Sequence, residues 1–138
     1  MLDLSRLVLD HYWRGIAGIM RAIAAAPAGA VLFHCHAGKD RTGLIAALLL
    51  VLVGVPDATI AEDYALSQAC LQPIFDRRLS QEPDPARRSR LARMIGAVPE
   101  TMLGVLAHLD ARHGGAERYL RAAGVAEADL EQLRRRIL

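Results

Sequence analysis

One lysine, six aromatic residues and two cysteines are all that 138 residues supply of these types. Each scarcity excludes something. Cys35 and Cys70 are too few for a disulfide scaffold and fit a reducing compartment, where free thiols are buried or reactive. With Trp13, Phe33, Phe75, Tyr12, Tyr64 and Tyr119 as the whole aromatic complement, a core has to be assembled from Ala, Leu, Ile and Val. The longest apolar run, Leu44 to Val55, has twelve residues. A membrane span needs roughly twenty, so this run reads as a buried helix, and no stable membrane insertion is expected. Charge of one sign is lacking too: the formal net charge is +2, too small to imply a nucleic-acid partner. The first residues alternate Asp, Arg and Leu instead of following a basic start with an apolar stretch. A soluble, cytoplasmic protein is therefore expected. What is present is 53% apolar and 23% charged residues, enough to bury a core and against a disordered or fibrous chain. The length suits one domain over residues 1–138.

Apolar residues Leu4, Val8, Tyr12, Ile16, Ile19 and Ile23 recur at steps of three and four, one stripe of an amphipathic helix ending before Pro27 and Gly29. Ala30-Val31-Leu32-Phe33 is a short apolar run after a turn signal and reads as a buried strand. A polar loop, His34 to Asp40, leads into a helix from Arg41 or Thr42 to Gly54. Thr59 and Glu62 form a capping-box pattern for a helix through about Ala69, and a Pro-rich turn spans Ser80 to Pro85. Arg87, Arg88, Arg90 and Arg93 decorate the next helix. Pro99 opens another, with Met102, Leu106 and Leu109 on one face, ending at His113-Gly114-Gly115. Two short helices separated by Gly124 complete the chain. The expected fold class is α/β, mostly helical, with one central strand leading into the loop. A lone buried strand leaves backbone groups unpaired. Either a partner strand is hidden in a segment read as helix, near Leu2 to Leu9, or the sheet is incomplete in this chain with its other strands upstream of Met1; the second reading is favoured, with self-association as a consequence.

The loop between that strand and the following helix carries the chemistry. In His34-Cys35-His36-Ala37-Gly38-Lys39-Asp40-Arg41-Thr42-Gly43, a tight turn directs successive N–H groups inward as an anion nest, and the helix start adds its positive end. Arg41, six positions after Cys35, can curl back to grip phosphate oxygens with two parallel hydrogen bonds. The field that attracts phosphate also favours thiolate over thiol at Cys35, and a thiolate beneath a bound phosphate can attack phosphorus in line.

Cys-x5-Arg followed by Thr, with His before the cysteine, resembles the phosphate-loop signature of the cysteine-dependent protein tyrosine phosphatases. The fuller string HCHAGKDRTG resembles bacterial members that also accept phosphoinositides. The resemblance continues through Gly54-Val55-Pro56, Asp63-Tyr64 with Leu66-Ser67, Tyr119-Leu120 and Gly124-Val125, and it aligns this chain with the C-terminal half of the family's catalytic domain. It implies a tyrosine-phosphatase-like fold. It also implies Cys35 as nucleophile, Arg41 as phosphate clamp and transition-state stabiliser, and the Thr42 hydroxyl as support for the thiolate. The N–H groups of His36, Ala37, Gly38, Lys39, Asp40 and Arg41 would line the nest, and Asp40 is the candidate general acid. Many relatives draw that acid from a separate upstream loop, which has no counterpart here.

The remaining residues carry competing readings. Lys39 is either a surface cation or a contact to a second phosphate on the substrate. His34 reads as a brace for the loop, Cys70 as core, and Asp63 as a brace or a cap. The arginines at 77, 78, 87, 88 and 90 form a solvated face or attract acidic phosphosubstrates and anionic lipid. His34-Cys35-His36 does not converge on one ion, so neither metal nor cofactor is expected. The expected activity is phosphomonoester hydrolysis on phosphotyrosine protein, through a cysteinyl phosphate. The alternatives are a phosphoinositide phosphatase, an inactive phosphate-binding module, and a sulfur-transfer or arsenate-reducing enzyme.

Overall fold

A computed structural model of the chain describes residues 2–138. Among them there are eight α-helices and no strand: α1 (Leu2–His11), α2 (Trp13–Ala25), α3 (Asp40–Leu52), α4 (Asp57–Gln81), α5 (Pro85–Ile95), α6 (Pro99–His113), α7 (Ala116–Ala122) and α8 (Glu127–Ile137). The expected α/β class with a central strand is therefore corrected to an all-helical one. Residues 30–33 form no ladder, since no described segment offers them a partner; Leu32 is 90% exposed and only Phe33 packs partway onto the core. A short apolar run signals burial or extension, and it does not by itself supply the neighbouring backbone a strand needs.

The centre of the molecule is α3. Leu44, Ile45, Ala47, Leu48, Leu49 and Leu52 are buried on several of its faces, because α1, α4, α7 and α8 all pack against it. Its apolar run from Leu44 thus behaves as the buried helix its composition requires. The arginines of α8 close the open ends of two other helices. Arg134 Nε donates to the Leu52 carbonyl at 3.2 Å, and Arg136 donates to the Ala24 and Pro27 carbonyls at 3.4 and 3.0 Å. Cations at helix C-termini satisfy orphan carbonyls and oppose the dipole. At the end of α6, Gly114 adopts φ 73°, a left-handed cap that a side chain would strain.

Several local expectations are refined. The single amphipathic stripe from Leu4 to Ile23 becomes two helices bent at Tyr12 (φ −114°, ψ 23°), although hydrogen bonds from Tyr12 N to Val8 O and from Ile16 N to Tyr12 O carry the ladder across the bend. The Thr59–Glu62 pair does not cap α4, which starts at Asp57 behind Pro56 with no side-chain cap and continues through Pro73 to Gln81. In contrast, Asp84 caps α5 by accepting from Ala86 N–H at 2.8 Å and from Arg87 N–H at 3.4 Å. Asp10, near the end of α1, accepts from His108 and His113 of α6. Burial pushes its carboxyl up, and these hydrogen bonds outweigh that and hold it below the usual carboxylate range. No helix among the described residues is long and apolar enough to cross a membrane.

The two helices α3 and α4 come close at Gly43, where an added Cβ would lie 2.8 Å from Tyr64 Cδ2. Tyr64 is buried, so its ring has little room to retreat. Gly43→Ala is expected to destabilise the chain by about 1–3 kcal/mol, the usual cost of overpacking. Denaturant unfolding should show a lower midpoint at unchanged slope.

Candidate active site

The loop from His34 to Lys39 reaches the N-terminus of α3 through a left-handed turn at Gly38 (φ 67°), which glycine accepts without strain. Its first helical bond, Gly43 N–H to Lys39 O at 2.6 Å, closes the turn. Cys35 and Thr42 are bound to each other across the loop: Cys35 N–H donates to Thr42 Oγ1 at 2.9 Å. Partial burial raises the Cys35 thiol, but the Thr42 hydroxyl and the N–H groups of Thr42, Ala37 and Lys39 donate to its sulfur, and together they lower it to about 6. At neutral pH the sulfur is therefore mostly a thiolate held by main-chain amides and one hydroxyl. His34 braces the loop by pairing its Nδ1 with the Cys35 carbonyl oxygen at 3.0 Å.

Lys39 and Asp40 also border the open space beside Cys35, with their charged groups paired to one another. Lys39 is only 2% exposed, and its ammonium donates to Asp40 Oδ1 at 2.6 Å and to the Gly96 carbonyl at 3.1 Å. The same Asp40 oxygen accepts from the Tyr64 hydroxyl at 3.0 Å. Burial, the Asp40 charge and this hydrogen bond raise the Tyr64 phenol well above its ordinary value, so it stays a neutral donor. Lys39 is thus neither a surface cation nor free to reach a second phosphate. It anchors the loop to the α5–α6 connection. No local pattern marks these contacts, because the partners stand 24 and 57 positions away. Tyr64, rather than its exposed neighbour Asp63, makes the contact with the loop.

A cavity of about 680 Å³ opens beside Cys35, with His36, Ala37 and Arg41 at the loop side. Its opposite wall is formed by Leu4, Val8, Tyr12, Ile16 and Ile19 of the α1–α2 stripe, while Ile16 and Ile23 of the same stripe also belong to the buried core. The third wall is Phe75 and Arg78 of α4 with Leu91 and Met94 of α5. Arg41 is exposed and lines the same cavity as the sulfur. Cys70 was expected in the core but is exposed, since α4 buries only Ile60, Ala61, Tyr64 and Phe75. Arg87, Arg88, Arg90 and Arg93 stand on the solvent side of α5. Chemically, the arrangement presents a soft nucleophile and an array of N–H donors to any tetrahedral oxyanion entering from the cavity.

A model of the tyrosine phosphatase family matches residues 1–138. The chain is 43% identical over 142 residues to a tyrosine-protein phosphatase of Nostoc commune, an alignment covering 94% of this chain and 46% of that protein. It is 33% identical over 116 residues to the triple specificity protein phosphatase PtpB of Mycobacterium tuberculosis, covering 75% of this chain and 42% of that one. The chain thus spans less than half the length of these curated relatives. On the full-length family match and these identities, the chain belongs to the tyrosine phosphatase family.

Proposed function

We propose that this chain hydrolyses phosphomonoesters, phosphotyrosine in protein first, through a phosphocysteine at residue 35 and in the reducing cytoplasm that a free thiol requires. The observation that carries this reading is the placement of Cys35 at the start of α3, its N–H bonded to Thr42 Oγ1 and its side chain lining one cavity with Arg41; the Thr42 hydroxyl and loop amides around it lower the thiol to about 6. In the first step the thiolate attacks phosphorus, the P–O bond to the ester breaks, and the leaving oxygen takes a proton from Asp40. In the second, water attacks the phosphocysteine, returns a proton to Asp40 and releases phosphate, leaving the thiolate regenerated. Arg41 and the N–H groups from His36 to Arg41 hold the equatorial oxygens as charge develops on them. The apolar wall of Leu4, Val8 and Ile16 suits the ring of a phosphotyrosine better than the polyol of an inositol headgroup. The engagement of Lys39 with Asp40 and Gly96 also removes the cation that a second phosphate would need. Membership of the family and the Thr42 contact to the sulfur weigh against sulfur transfer or arsenate reduction.

The nucleophile is tested with para-nitrophenyl phosphate and a phosphotyrosine peptide. Cys35→Ser is expected to lose at least about 10³-fold in kcat while still binding phosphate. Equal turnover by wild type and Cys35→Ser removes the assignment, and vanadate binding by a wild type without turnover identifies a phosphate-binding module instead.

The thiolate is tested by alkylation with iodoacetamide across pH. Because the folded value is lowered, the reactive anion is present above about pH 6 and is lost below it. The rate should be flat above pH 7 and fall about tenfold for each pH unit below the midpoint. Thr42→Ala removes one hydrogen bond to a charged sulfur, worth about 1.5–3 kcal/mol, and should move that midpoint up by about one to two pH units.

A further inference from the structure

On the far side of α1 from the cavity wall, three side chains converge without any part in the phosphate chemistry. Asp10 Oδ1 lies 3.0 Å from His108 Nε2 and 3.4 Å from His113 Nε2, and one ligand atom from each residue falls within 4.8 Å of the others. Both imidazoles therefore present their outer nitrogen to one point beside one carboxylate oxygen. A tetrahedral Zn²⁺ with N and O ligands at about 2.0–2.1 Å sets its ligand atoms about 3.4 Å apart. The separations to Asp10 already match that spacing to within a few tenths of an ångström. Two imidazoles and a carboxylate are also a donor set that suits zinc over magnesium or calcium, which prefer oxygen cages.

The surroundings hold these donors in place. The His113 ring meets the Tyr119 ring edge-on, with centroids 4.9 Å apart. The buried Tyr119 hydroxyl donates to the carbonyl of Leu9, the residue before Asp10, at 2.9 Å. One tyrosine thus orients a histidine of α6 and the backbone of α1 together, the kind of supporting contact that preorganises metal ligands. The three side chains are 15–23% exposed, which leaves an entry path and room for a water as fourth ligand. The group that now competes is Arg112, whose Nε lies 3.3 Å from the same Asp10 oxygen. Its side chain is 62% exposed, so it can swing into solvent at little cost.

We propose that Asp10, His108 and His113 form a Zn²⁺ site that fastens α1 to α6. This site is separate from the reading of Cys35 as a nucleophile and stands or falls without it. Its position gives it a consequence, since Leu4, Ser5 and Val8 of the fastened helix line the cavity beside the thiolate.

The test uses the full chain with Cys35→Ser and Cys70→Ser, so that no thiol can hold the metal. Titration calorimetry and thermal unfolding are run with zinc chloride, then with magnesium chloride as control. Zinc is expected to bind one per chain and, at a hundredfold excess over Kd, to raise Tm by at least about 5 °C, reversibly with EDTA. Magnesium should do neither. His108→Gln, His113→Gln and Asp10→Asn should each weaken zinc binding at least about tenfold. Arg112→Gln, an exposed change that leaves the ligands intact, should tighten it about threefold or more by removing the competing cation. Absence of zinc binding to the double-serine chain overturns the proposal. So does binding that neither the ligand variants nor Arg112→Gln alter. Cobalt in place of zinc gives a second reading, since a visible spectrum free of thiolate charge transfer is expected if only these nitrogens and oxygens coordinate it.

Discussion

The buried ammonium of Lys39 is the constraint on which the rest of the site depends. A charge taken almost wholly out of water is costly unless its donors are occupied. Here they are occupied by Asp40 and by the carbonyl of Gly96. Asp40 is in turn fixed by the Tyr64 hydroxyl, so three elements meet at one carboxylate: the loop, the middle of α4 and the connection before α6. The loop cannot relax without leaving a charge unpaired in the interior. That penalty keeps the amides of Ala37, Lys39 and Thr42 trained on the Cys35 sulfur.

Around this pin the helices share two tasks. The core draws on α3, α6, α7 and α8, whose Leu48, Val105, Leu109, Leu120, Leu130 and Leu133 are almost completely excluded from solvent, and on Leu9 of α1 and Met20 of α2, which are equally buried. The cavity is shaped by α1, α2, α4 and α5, which spend part of their apolar surface on its walls. That division explains why Leu4, Tyr12 and Ile19 remain 51%, 67% and 43% exposed in an otherwise well-filled molecule. It also explains the composition: with so few aromatics, a close-packed interior has to come from short aliphatic side chains at helical spacing, and Gly43 lets two such helices touch.

Signals carried by neighbouring residues are legible in the sequence, and those carried by distant ones are not. The loop from His34 to Gly43, the buried helix that follows it, the helix opened by Pro99 and the glycine stop at Gly114 all rest on neighbours within a turn or two. Their chemistry is therefore written in adjacent residues. The run from Ala30 to Phe33 has the composition of a strand and forms none, because a strand needs a partner and these four residues say nothing about one. The stripe from Leu4 to Ile19 was recognised as one face, yet periodicity cannot tell a core face from the wall of a cavity. Lys39 stands out in the sequence as the sole lysine and Asp40 as the candidate acid, while their contacts to Gly96 and Tyr64 are set by the fold and not by any neighbouring residue. The cluster of Asp10, His108 and His113 was invisible for the same reason, with separations of 98 and 103 positions.

The guanidinium of Arg134 on the carbonyl of Leu52 spans 82 positions, and it bears on the order in which the molecule assembles. A ribosome delivers chain at about 5–20 residues per second, so α3 emerges several seconds before α8 can cover it. Until then the helix behind the cysteine has an open end and an uncovered flank, and only the Lys39–Asp40–Tyr64–Gly96 contacts steady its start. Full enclosure of α3 is consequently a late product of biogenesis, reached only once the helix carrying Leu130 and Leu133 has emerged and docked.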